Sequence, residues 1–179
     1  MQRLKRAALI TRLVERLRDQ GSWCGETHVQ KSMLFLQNLM GVPLGFDFIL
    51  YKHGPFSFDL RDELTSLRAD ELLQLEPQWP YGPRFAPTER SDYIQRNCSK
   101  TLAKYDDCIT FVARKFGGKG VAELERLATA LFITQGTNGD ASVDERAMRL
   151  TTLKPHIPLD SAARAIEEVD HIIGERPDL

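Results

Sequence analysis

The chain predicts a mainly α fold of the α+β class: a helical domain with a small antiparallel β element, winged-helix-like in its first half. Three observations carry this. Apolar residues recur at helical spacing near the start, in Leu4, Ala8, Leu9, Leu13, Val14 and Leu17, and again from residue 99 onward. Between them, the run Phe46-Asp47-Phe48-Ile49-Leu50-Tyr51 meets a Gly54-Pro55 break, after which Leu60, Leu64 and Leu67 share one helical face. Two further β-favouring runs, residues 72–76 and 84–87, flank a connection rich in proline and glycine.

Each element has a local cause. The first helix, residues 4–19, buries one apolar stripe and stops at Gly21. Trp23 and Cys24 lie in the connection. Thr27 is the expected cap of a second helix, because its oxygen can accept from an orphan amide; Glu26 complements the positive helix end. That helix extends to about residue 40, and Val29, Met33, Leu34, Leu36 and Met40 cover a face wide enough for burial on more than one side. Gly41, Pro43 and Gly45 mark a loop before a strand over residues 46–51, and residues 52–55 form the turn. Pro55 holds Gly54 out of the α region, so the next helix cannot begin before it. Ser57 is that helix's expected cap, with Asp59, Asp62 and Glu63 in the first turns and an end near residue 68.

Residues 72–76 and 84–87 make a β-wing. Pro77, Pro80, Gly82 and Pro83 stiffen its connection around Trp79 and Tyr81, and Pro87 assigns the return strand to an edge. Residues 99–116 repeat the helical stripe up to Gly117-Gly118, and residues 121–134 repeat it again. Ser142-Val143-Asp144-Glu145 is a capping box. Lys154-Pro155 stops the helix it opens, and residues 160–174 form the last helix. Residues 1–97 are thus a helix and strand core with a GP turn and a wing. Residues 98–179 are a helical extension packed on it as one compact unit.

The chain has 179 residues, a net charge of −1 and an ordinary apolar fraction, so a core forms without disulfides and no global field draws it to nucleic acid or membrane. Three cysteines at unrelated spacings give no disulfide framework and fit a reducing, cytoplasmic setting. No signal peptide, membrane-length apolar run or internal repeat is expected. Charge is uneven: the first eighteen residues hold Arg3, Lys5, Arg6, Arg12, Arg16 and Arg18 against the single acid Glu15. A solvated face explains this excess, and a phosphate backbone would also meet it.

Residue patterns for chemistry are incomplete. Cys24 and His28 form a C-x-x-x-H pair, but a structural zinc site needs four ligands, and Cys98 and Cys108 supply no second pair; a buried cysteine and a partly exposed histidine are expected. His53 near Ser57 lacks an orienting acid and an oxyanion site, and Ser57 is better used as a cap. Gly117-Gly118-Lys119-Gly120 lacks the spacing and the following Ser or Thr of a phosphate loop. Asp106-Asp107 and Glu167-Glu168 are expected to be solvated.

Three stretches carry a family resemblance: Gln30-Lys31-Ser32-Met33-Leu34-Phe35-Leu36-Gln37, Tyr51-Lys52-His53-Gly54-Pro55-Phe56-Ser57, and the helix of Leu60, Leu64 and Leu67. Together they resemble the YwgA-like family of small prokaryotic proteins and the related Panacea (SocA-like) antitoxin domains. The stretch around Ala122-Glu123-Leu124-Glu125-Arg126-Leu127, with Lys154-Pro155, is similar to the later part of the YwgA-like pattern. The resemblance implies a mainly helical fold with a small β element, no cofactor and no established enzymatic activity. Panacea-type domains bind and neutralise toxins.

Two functions follow as expectations. The first is a non-enzymatic protein-binding module, antitoxin-like or regulatory, with a toxin or regulatory protein as partner and a place in a toxin–antitoxin or phage-defence system. Its candidate anchors are Trp23, His53, Phe56, Phe58 and Trp79. The alternative is a winged-helix-like DNA-binding regulator, with Arg12, Arg16, Lys31, Arg61 and Arg68 as candidate phosphate contacts and binding that weakens steeply with salt.

Overall fold

A helix whose amide lacks a side-chain cap starts where the preceding chain turns, and this decides the first half of the molecule. The computed structural model describes residues 1–79, 81–137 and 141–177. Helix α1 (Arg3–Asp19) buries the expected stripe and ends at Gly21, whose φ of +79° suits glycine. Cys24 then adopts a positive φ while its N–H donates to Ser22 Oγ, so the chain turns early. Helix α2 (Glu26–Leu34) therefore starts after Gly25, with no side-chain cap, and Thr27 lies inside it rather than capping it.

Helix α2 is the central element. Every residue from His28 to Leu34 is buried, and its sides meet the helices over residues 58–69, 99–116 and 121–135. It does not run on as an α-helix to residue 40: Phe35–Leu39 widens into a π turn, with Met40 N–H donating to Phe35 O. Phe35 stacks on Phe116 with ring centroids 3.7 Å apart and planes 7° apart. Past the π turn, the Gln37 side chain pins the chain's return. Its amide donates to Phe46 O and its oxygen accepts from Phe46 N, each at 2.8 Å.

The expected strand over residues 46–51 is shorter. Phe46 and Phe48 are buried in irregular backbone, and the regular part is β1 (Ile49–Tyr51). Gly54-Pro55 is not a turn but part of a second strand, β2 (Gly54–Phe56), which pairs antiparallel with β1 across Lys52-His53. Ser57 caps α3 (Phe58–Ala69) as expected, its Oγ accepting from Leu60 N at 3.2 Å. Glu63 of α3 is buried against α1, where Arg6 donates to it at 2.7 Å.

The wing forms as read. Strand β3 (Leu73–Gln78) pairs antiparallel with β4 (Tyr81–Pro87), and β4 lies on α1. Pro80 of its connection is outside the described residues. Helices α4 (Glu89–Asn97) and α5 (Ser99–Phe116) pack on α1; α6 (Val121–Gln135), α7 (Val143–Leu153) and α8 (Leu159–Gly174) pack on one another. The Ser142 capping box is complete: Ser142 Oγ accepts from Glu145 N and Glu145 accepts from Ser142 N. One hydrophobic cluster runs from Ala7 to Ile172. Among the described residues no helix is long and apolar enough to cross a membrane.

Candidate functional site

The β1–β2 hairpin is held by side chains from three helices, and it presents aromatic rings to solvent. Gln30 on α2 clamps Ser57: its amide donates to Ser57 O at 2.9 Å, and its oxygen accepts from Ser57 N at 3.0 Å. Both residues are wholly buried, so these bonds replace solvation that the backbone has lost. Lys31, the next residue of α2, donates from Nζ to Pro55 O at 2.8 Å. Lys154, at the end of α7, donates to Tyr51 O and Lys52 O, at 3.1 and 2.6 Å. The hairpin approaches α6 so closely that a Cβ on Gly54 would stand 2.9 Å from Thr129 Oγ1.

Lys31 was expected as a phosphate contact, and the structure corrects this. Only 1% of its surface is exposed, because α2 is enclosed on all sides. Burial pulls its ammonium from an ordinary value of 10.5 down to about 8; Lys154 adds to the shift and Glu125 opposes it. The sign of the pH effect follows. Between about pH 8 and 10.5 the unfolded chain holds a proton that the folded chain has released, so this group makes the fold more stable as pH rises through that window. Urea unfolding of the wild type and Lys31→Met, compared across that range, is expected to show the wild type gaining stability relative to the variant. A constant difference would contradict the assignment.

The outer face of the hairpin is apolar. Tyr51 meets Phe56 and Phe58 with centroids 5.9 and 5.4 Å away, and Phe56 meets Phe58 edge-on at 5.1 Å. Tyr51 and Phe58 are exposed, Phe56 is half-buried, and Ile49 extends the patch with 45% of its surface open. The Arg61 guanidinium lies over the Phe58 ring, 5.0 Å from its centroid, and also contacts Asp62. His53 is exposed at the hairpin tip, its Nδ1 3.6 Å from Glu125 Oε1.

The expected anchors therefore divide. His53, Phe56 and Phe58 share this hairpin and the start of α3. Trp23 is half-buried against the wing, where its Nε1 donates to Gly82 O and the Arg84 guanidinium stands 6.0 Å from its ring. Trp79 is 91% exposed at the wing's turn, on a different hairpin. Tyr51 and Ile49 were not singled out by the sequence reading, although their alternation with Leu50 places them on one strand face.

The remaining phosphate candidates also divide. Arg12 and Arg16 lie on α1, 3.3 Å from Glu15 and 3.9 Å from Asp106 respectively. Arg61 and Arg68 lie on the solvent face of α3 beside Asp59 and Asp62. Cys24 and His28 do not converge on a metal. Cys24 is buried and its thiol, raised to about 11 chiefly by burial, donates to Val14 O. His28 is buried rather than partly exposed, and its Nε2 bonds Lys119 O at 2.9 Å. Among the described residues no cluster of three His, Cys, Asp or Glu could hold a metal ion. Glu168 keeps 41% of its side chain in solvent, as expected, and also accepts from Lys119 at 2.8 Å, which ties α8 to the glycine-rich turn before α6.

In comparison with known proteins, the chain matches no family model and shows no significant similarity to a curated protein.

Proposed function

We propose that the protein is a non-enzymatic protein-binding module, antitoxin-like or regulatory, which engages its partner through the aromatic face of the β1–β2 hairpin. The observation that carries this is the exposure of Ile49 and Tyr51 on a hairpin fixed by Gln30, Lys31 and Lys154, with Phe58 exposed beside them at the start of α3. Rings held in place before binding lose little conformational freedom when a partner covers them. The resemblance to YwgA-like and Panacea domains supports an intracellular role against a toxin or within phage defence.

A second reading, a winged-helix-like DNA-binding regulator, is favoured by one feature: the β3–β4 wing directly follows α3. Against it, the solvent face of α3 sets Asp59 and Asp62 among Arg61 and Arg68, and Lys31 is enclosed. Both readings meet in one experiment. The tagged protein and its Tyr51→Ser/Phe58→Ser variant are used to capture partners from host lysate, with and without nuclease. The expected result is a stoichiometric protein that survives nuclease and is lost with the variant. Recovery of nucleic acid, with proteins lost after nuclease, would transfer the assignment to the regulator.

A further inference from the structure

The two outer edges of the hairpin are treated differently. Pro55 has no N–H, so its pairing with Leu50 is a non-hydrogen-bonded pair, and the ladder bonds lie at Ile49–Phe56 and Tyr51–Gly54. By the period of two, Pro55 and Ser57 turn their remaining backbone groups outward on the β2 side. Helix α2 answers both: Lys31 donates to Pro55 O, and the Gln30 amide bonds Ser57 N and O. These two side chains take the place of a third strand.

On the β1 side Leu50 turns its N–H and C=O outward in the same way. Among the described residues neither group is hydrogen-bonded, and the same is true of the backbone of Phe48. Lys154 donates to Tyr51 O and Lys52 O at the end of β1, but among the described residues no side chain bonds Leu50 as Gln30 and Lys31 bond Ser57 and Pro55. Strand β1 contains no proline to block pairing, whereas β3 and β4 contain Pro77, Pro83 and Pro87. Ile49 and Tyr51 flank the open edge and are exposed on the face that carries Phe56 and Phe58.

We propose that β1 accepts an extended segment of a partner protein as a third strand, whose alternate apolar residues lie on Ile49, Tyr51 and the Phe56–Phe58 rings. This rests on the binding-module reading and names the partner's chemistry. An extended chain supplies the backbone donor and acceptor that Leu50 lacks, and its side-chain period matches the exposed face. A helical segment would cover the rings but has no free backbone groups to offer Leu50.

The test uses the full chain and a displayed library of random peptides of about twelve residues, long enough to pass the edge at strand rise. Enriched peptides are synthesised and their affinities measured. N-methylation of the peptide backbone is expected to weaken binding about tenfold at alternate positions and little between them, because only alternate amides face the edge. Leu50→Pro is expected to weaken binding by a similar factor of about ten while the fold holds, since proline is tolerated at a non-hydrogen-bonded pair, as at Pro55. If that variant unfolds, the N-methyl series on the wild type decides. Peptides lost with Tyr51→Ser/Phe58→Ser but showing no alternation would overturn the strand and leave the binding module standing. No enriched peptide, or peptides indifferent to the aromatic variant, would overturn the strand and remove the aromatic face as the binding site.

Discussion

Gln30→Leu is expected to lower the unfolding free energy by about 2–3 kcal/mol, the sum of a lost hydrogen bond and a stranded buried amide. Leucine fills nearly the same space, so cavity formation contributes little. Ser57 O keeps one donor, because Arg61 N–H also bonds it at 3.2 Å. Ser57 N–H has no second acceptor among the described residues and is sealed from solvent. The effect should also be local. Amides of residues 49–57 should exchange faster than those of α5, because the clamp closes the hairpin against α2. Gln30→Glu should not rescue: a carboxylate accepts from Ser57 N but cannot donate to Ser57 O, and a buried charge adds its own penalty. Urea unfolding and amide exchange on the three proteins check this. Wild-type stability in Gln30→Leu would refute the clamp.

Gly54→Ala is expected to cost about 3 kcal/mol, from two terms of similar size. The φ of +81° is one that a residue with a Cβ adopts only with strain. The added Cβ would also stand 2.9 Å from Thr129 Oγ1 and 3.4 Å from Glu125 O. Thr129 cannot swing aside freely, because it is buried and its hydroxyl donates to Glu125 O at 2.7 Å. The two terms separate in a double mutant. Thr129→Ala removes the oxygen that meets the new methyl, so Gly54→Ala should be milder in that background, the residual penalty reflecting chiefly φ. Equal penalties in both backgrounds would show that the contact with α6 is not what requires glycine. Because the same glycine seats the hairpin on α6, Gly54→Ala should also weaken partner binding even though Gly54 itself is buried.

These two positions show what could be read along the chain. The stripe of α1, the Ser57 cap, the Ser142 capping box, the stop at Gly117 and the β3–β4 wing were all legible. Each depends on residues within a turn or two of one another, where 3.6-residue or two-residue periods and capping side chains act directly. Phe58 opens α3 behind the Ser57 cap as expected, whereas His53 and Phe56 lie on a hairpin where only a strand and a turn were expected. The start of α2 was misread because a positive φ at Cys24, not the side chain of Thr27, sets it. The recurrence of apolar residues in residues 28–40 announced burial, but not that it would enclose Lys31 as well.

What the sequence by itself determined is the inventory: which segments are helical, that Ser57 and Ser142 cap two of them, and that the β3–β4 wing interrupts them. The tertiary structure alone decided what the QK and GP segments are for. Lys31 meets Pro55 across 24 positions, Gln30 meets Ser57 across 27, and Lys154 meets Lys52 across 102. Local periodicity carries no information on such pairings, because they arise only when packing of α2, α6 and α7 brings distant backbone carbonyls within hydrogen-bond reach. The same packing closes one edge of the hairpin and leaves the other open, and so separates the residues that hold the site from those that present it.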